Sequence, residues 1–145
     1  MIIQGTAGTG KSYLIGVIKQ ILEIESLPNK SPLLLLAPTS VAAFNISASK
    51  IHSALYIPIR NFTDLQGSSL LTLQEEMKHI KYILIDEMSF IGRNLLTQID
   101  AQLRQAFPHN RDVPFGGISI ILVGDLGKLP PVMDRPAYAG EGRAK

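Results

Sequence analysis

Short aliphatic runs alternate along the chain with longer stretches of helical period. Leu33–Ala37, Tyr82–Ile85 and, but for Ser119, Ile118–Val123 are continuous apolar runs of strand length, closed by Pro38, Asp86 and Gly124. Runs without polar alternation suit strands covered on both faces, as in a parallel sheet. Between them lie helical patterns. Lys11–Glu25 places Leu14, Val17, Ile18, Ile21 and Leu22 on one stripe, and Pro28 bars continuation. Leu70–Ile80 follows two plausible caps, Ser68 and Ser69, and Arg93–Phe107 spaces Leu96, Ile99, Leu103 and Phe107 along one face up to Pro108. The alternation predicts an α/β fold: a doubly wound, mostly parallel sheet with helices on both faces and right-handed crossovers. Two loops stand out, His109–Gly117 and the segment after Pro130-Pro131, whose tail Met133–Lys145 lacks a core-forming pattern and is expected to lead elsewhere. The first strand, Met1–Gln4, is shorter than the five or so residues usual for a central strand. The chain is therefore read as clipped at its start and as a piece of something larger.

Composition narrows the class. The 145 residues suit one domain, and a hydrophobic fraction of 46% against 18% charged describes a packed core. With 14 basic and 12 acidic residues the net charge is +2, which argues for neither nucleic acid nor an acidic membrane. The absence of cysteine excludes a disulfide framework, a thiolate metal site and a thiol nucleophile. No apolar run approaches the roughly 20 residues of a membrane helix, and no secretory signal opens the chain. The expectation is a soluble, intracellular domain.

Gly5-Thr6-Ala7-Gly8-Thr9-Gly10-Lys11-Ser12 matches GxxxxGK[ST] between a short strand and a helix, the setting that this phosphate loop requires. Phosphate oxygens must approach the backbone closely, which glycine permits, and the loop's N–H groups with the helix N-terminus hold them. Lys11 is expected to bridge β- and γ-phosphate oxygens and the Ser12 hydroxyl to ligate Mg²⁺. A dinucleotide fingerprint is excluded because Tyr13 stands at the third position after Gly8-x-Gly10.

Two further strand ends carry chemistry. Lys81–Ile85 leads into Asp86-Glu87, and ligands of open α/β sheets sit beyond the carboxyl ends of the strands. Asp86 is the candidate for the magnesium shell and Glu87 for orienting and deprotonating the attacking water. A plain helix-start pair is the alternative. The run ending at Gly124-Asp125, followed by Lys128 and Pro130-Pro131, could sense the γ-phosphate and move a stiff lever, or could be a tight surface turn.

Taken together, these residues resemble superfamily-one DNA helicases of the PIF (petite integration frequency) type, over nearly the whole chain. The phosphate loop resembles motif I, Ala37-Pro38-Thr39-Ser40-Val41-Ala42-Ala43 motif Ia, and Ile51-His52-Ser53 the short histidine–serine motif. Ile85-Asp86-Glu87-Met88-Ser89 resembles motif II, and Pro114–Gly117 through Gly124-Asp125 to Pro130-Pro131-Val132 resembles motif III with its lead-in. The resemblance implies a RecA-like first motor lobe over residues 1–132, with 133–145 a tail or the start of a linker. It implies ATP and Mg²⁺ as cofactors, single-stranded DNA as partner, and ATP-driven translocation with unwinding. Thr39, Ser40, His52 and Ser53 become candidate DNA contacts, although the residues alone leave His52 open as a local structural histidine. A nuclear or mitochondrial location, and roles in repair, recombination and telomere maintenance, are family associations.

The chain departs from the family pattern at Ser40 (usually Gly), Lys50 (Thr), Leu126 (Phe) and Lys128 (Gln). Glutamine both donates and accepts, whereas lysine is a longer, donor-only cation. Lys128 is expected to bind nucleotide while coupling hydrolysis to DNA poorly. Nothing resembles the second motor lobe with its arginine finger, or the glutamine segment that recognises adenine. Weak ATP binding, very slow hydrolysis and no unwinding are expected of these residues alone. Two other readings compete: a degenerate nucleotide- or DNA-holding module without turnover, and a P-loop kinase or GTPase. Pro28-Asn29-Lys30-Ser31 imitates the start of a guanine motif without its Asp, and Arg104 and Arg111 are thin material for a kinase lid.

Overall fold

The computed structural model describes residues 1–24, 26, 30–128, 130–131 and 134–137. Glu25, where the expected first helix ends, residues 27–29 with Pro28 and Asn29, Leu129, Val132, Met133 and the residues from 138 onward lie outside them.

Five strands form one sheet in the order β1-β5-β4-β2-β3: β1 (Ile2–Gln4), β2 (Leu33–Ala37), β3 (Ser49–Lys50), β4 (Tyr82–Ile85) and β5 (Ser119–Gly124). Every pairing is parallel, with Leu35 opposite Leu84, Leu84 opposite Ile121 and Ile3 opposite Val123. Successive side chains alternate between faces. Leu36, Ile83 and Ile85 therefore point into one core with Leu73 and Met77 of α4 (Gly67–Met77) and Ile99 and Leu103 of α5 (Arg93–Ala106). Leu33, Leu35, Leu84, Ile121 and Val123 point the other way, against Ile15, Ile18 and Leu22 of α1 (Lys11–Ile24). Both faces are covered, as the unbroken apolar runs require.

The stripe expected on α1 is turned. Ile15, Ile18 and Leu22 face the sheet, whereas Leu14 and Ile21 are exposed. Apolar residues wrap more than half of this helix, so periodicity alone does not choose the packed arc. Two short helices escape the sequence pattern altogether: α2 (Ser40–Asn45) and α3 (Ile51–Ala54). The fourth helix begins at Gly67, ahead of the serines read as caps. Residues 134–137 return to the start of α5, where Arg93 N–H donates to the Arg135 carbonyl at 2.8 Å and Ala137 N–H to that of Ile91 at 3.2 Å.

The turn after α3 is held from α5. Tyr56 adopts φ +54°, and the Nε2 of the fully buried Gln102 donates to the carbonyls of Leu55 (2.9 Å) and Tyr56 (3.3 Å). Gln102→Leu leaves both carbonyls without this donor, so it is expected to lower stability by about 1–3 kcal/mol with an unchanged m-value in urea unfolding. An unchanged midpoint would show that water replaces the amide.

Candidate active site

Because all five strands run parallel, their carboxyl ends share one edge, and each candidate segment starts there. The phosphate loop follows β1, Thr39 and Ser40 follow β2, His52 and Ser53 follow β3, Asp86 and Glu87 follow β4, and Asp125 follows β5. The strand order sorts them: loop, acidic pair and Lys128 around β1, β5 and β4, the DNA candidates around β2 and β3.

In the loop, Gly8 and Gly10 take φ +76° and +83°, the left-handed conformations that side chains disfavour. A Cβ on Gly5 would stand 2.5 Å from Thr9 Oγ1. Thr9 Oγ1 in turn donates to the Thr6 carbonyl at 2.8 Å. The Lys11 ammonium lies over the loop, donating to the carbonyls of Gly5 (2.7 Å) and Thr6 (2.6 Å). Ala7, Gly8, Gly10, Lys11 and Ser12 line one cleft with Asp86, Glu87 and Lys128.

The acidic pair is held by its own backbone. Asp86 N–H donates to the Leu36 carbonyl at 3.0 Å, and Asp86 Oδ1 accepts from Glu87 N–H at 2.8 Å. Burial pushes the Asp86 carboxyl above the usual range, with the Glu87 charge adding to it; the Glu87 N–H, Lys128 and Lys11 pull the other way. Glu87 itself is left-handed, at φ +55°. Gly124 makes room for that turn, since a Cβ there would stand 2.8 Å from Met88 N. The Gly124 carbonyl also accepts from Gly5 N–H at 3.1 Å, so one residue ties the phosphate loop to the acidic turn. The Asp125 side chain caps the next turn through Gly127 N–H at 2.9 Å, and this turn presents Lys128. The Lys128 ammonium grips Glu87 Oε1 (2.8 Å) and Oε2 (3.0 Å), and that hydrogen bond raises its pKa.

The remaining candidates behave differently. Thr39 caps α2, its Oγ1 accepting from Ala42 N–H at 3.2 Å, so part of its signal is structural. Ser40 and Ser53 are exposed and His52 is half-buried, its pKa lowered first by burial and then by Lys50. The sequence pattern does not single out Phe44, a residue 86% exposed on the same helix as Ser40. An aromatic among small residues was the available signal. The Pro114–Gly117 lead-in packs on α5: Phe115 N–H meets Asp100, and Gly116 lies where a Cβ would be 2.6 Å from the Leu103 carbonyl. Arg104 is engaged by Asp100 at 2.8 Å and by the Arg111 carbonyl at 3.0 Å, and neither arginine lines the phosphate cleft.

A parallel sheet with a phosphate loop on its first strand and an acidic pair on the strand end beyond β5 defines a P-loop domain of RecA-like architecture. The family model for PIF1-like helicases matches residues 1–142, and the chain belongs to that family. It is 36% identical over 138 residues to the ATP-dependent DNA helicase RRM3 of Saccharomyces cerevisiae, covering 92% of this chain and 18% of that protein. The Xenopus laevis ATP-dependent DNA helicase PIF1 is 35% identical over 131 residues, covering 88% and 19%. Unliganded Pif1 from Bacteroides superposes with a TM-score of 0.75 at 28% identity, covering 93% of this chain and 29% of that one. A Pif1 helicase from Bacteroides in complex with ADP-AlF3 and single-stranded DNA gives 0.70 at 29% identity, covering 92% and 30%. The chain thus spans about a fifth of the curated relatives' length and under a third of the solved ones.

Proposed function

We propose that this chain is the ATP-binding lobe of a DNA helicase, taking ATP with Mg²⁺ between the Gly5–Ser12 loop and Asp86-Glu87 and using hydrolysis to drive movement along single-stranded DNA. One observation carries the reading: Lys11, Ser12, Asp86, Glu87 and Lys128 line a single cleft at the carboxyl edge of the sheet. The Bacteroides relative in complex with ADP-AlF3 and single-stranded DNA supports both ligands.

The loop N–H groups beyond Gly5, from Thr6 to Ser12, hold the phosphates, and Lys11 neutralises the β- and γ-oxygens. The donor set suits magnesium. Among the described residues no group of three His, Cys, Asp or Glu could cage a metal. One hydroxyl (Ser12) and one carboxylate (Asp86) fit an ion that keeps its waters and leans on substrate phosphates. When bound, Mg²⁺ would neutralise phosphate charge. Glu87 orients a water whose oxygen attacks the γ-phosphorus; the bond to the β-bridging oxygen breaks, ADP leaves with that electron pair, and the water's proton passes to Glu87. No arginine lines the cleft among the described residues, so slow turnover is expected of these residues alone.

The β2–β3 half of the edge faces the DNA in this reading. Ser40 and Ser53 can reach phosphate and sugar, with Thr39 and His52 beside them, and Phe44 offers a face for base stacking. Such an enzyme works inside the cell, in the nucleus or the mitochondrion, and serves repair, recombination or telomere maintenance. A module that holds nucleotide without turnover is favoured by one observation, the pairing of Glu87 with Lys128. Hydrolysis of ATP with and without single-stranded DNA, against Lys11→Ala, separates the two. Slow turnover that the single strand raises and the variant loses is expected. Turnover absent in both, or equal in both, would overturn the helicase reading.

A further inference from the structure

The pairing of Glu87 with Lys128 joins residues 41 apart in sequence, and both carboxylate oxygens are taken. A carboxylate so engaged is a poor partner for water. The cation is nevertheless poised to leave: 38% of the Lys128 side chain and 24% of that of Glu87 are exposed, and partly solvated ion pairs are weak. Lys128 rides on the turn that Asp125 caps, and it lines the same cleft as Lys11 and Ser12. A triphosphate entering that cleft brings more negative charge than one carboxylate.

We propose that Lys128 is a positioning residue acting as a phosphate-released latch: it occludes Glu87 until the γ-phosphate of a bound nucleotide draws its ammonium away and leaves the carboxylate free for water. The proposal rests on the nucleotide-site reading above. Its consequence is selectivity for the loaded state, because a diphosphate reaches Lys128 less well and leaves the latch shut. Hydrolysis closes the cycle, as loss of the γ-phosphate lets Lys128 return.

The test is a binding cycle rather than an activity. Affinities of the Mg²⁺ complexes of the imido analogue of ATP and of ADP are measured by calorimetry for the wild-type chain, Glu87→Gln, Lys128→Met and the double variant. Glu87→Gln frees the ammonium and is expected to tighten the imido analogue about threefold to fivefold relative to ADP. Lys128→Met weakens the same ratio by a similar factor. In the double variant the Glu87→Gln gain disappears, the non-additivity that marks a shared contact. Removing a negative charge near phosphates would tighten binding even in the Lys128→Met background, so an equal gain in both backgrounds would overturn the latch. So would no gain in either. Failure of the site reading looks different: Lys11→Ala would then bind both nucleotides as well as the wild-type chain does.

Discussion

Lys11→Ala is expected to abolish measurable nucleotide affinity and to reduce hydrolysis by at least about 10²–10³-fold, the cost of losing one preorganised cation aimed at developing charge. The geometry explains why no neighbour substitutes. The Lys11 ammonium already sits over the loop, 2.7 and 2.6 Å from the carbonyls of Gly5 and Thr6, and moves only a short way to meet phosphate. Lys128, the other cation lining the cleft, rides on a different turn and, once off Glu87, meets only the γ-phosphate. Equilibrium titration with a fluorescent ATP analogue reads the effect, and a thermal unfolding midpoint separates it from loss of fold. Retained affinity in a folded variant would mean that the loop does not bind phosphate.

Glu87→Gln has the second large effect, and its signature is a split. The amide has the shape of the carboxylate and cannot take a proton, so hydrolysis is expected to fall about 10²–10⁴-fold, the usual share of a positioned base. Nucleotide binding survives, because the Gly5–Ser12 loop and Asp86 are untouched. Single-turnover quench-flow with saturating ATP measures the chemical step alone. A variant that hydrolyses like the wild-type chain would move the base elsewhere.

Much of this arrangement is written in local pattern. The bounds of β2 and β4 coincide with their aliphatic runs because strands covered on both faces leave no polar position to interrupt them. Gly8, Gly10 and Lys11 are legible because backbone sterics and phosphate charge demand those residue types at that spacing. Other features depend on contacts that the sequence does not print. The two-residue β3 and four-residue α3 are too short to show a period, and the turn between α3 and α4 depends on Gln102, far along the chain. The return of residues 134–137 to α5 uses backbone hydrogen bonds, which carry no side-chain signature. Both Glu87 and Lys128 could be singled out as site residues. Their pairing could not, because it depends on the left-handed turn at Glu87 that Gly124 accommodates.

The proposed function requires the Gly5–Ser12 loop and the acidic pair to form one nucleotide site. A crystal structure of the chain with ADP, aluminium fluoride and Mg²⁺ would show whether they do. The β-phosphate is expected within hydrogen-bond reach of the loop N–H groups, with Lys11 moved off the carbonyls of Gly5 and Thr6 onto phosphate oxygens and the fluoride group facing Glu87. Phosphates bound away from this loop, or Lys11 still on both carbonyls with nucleotide present, would contradict it.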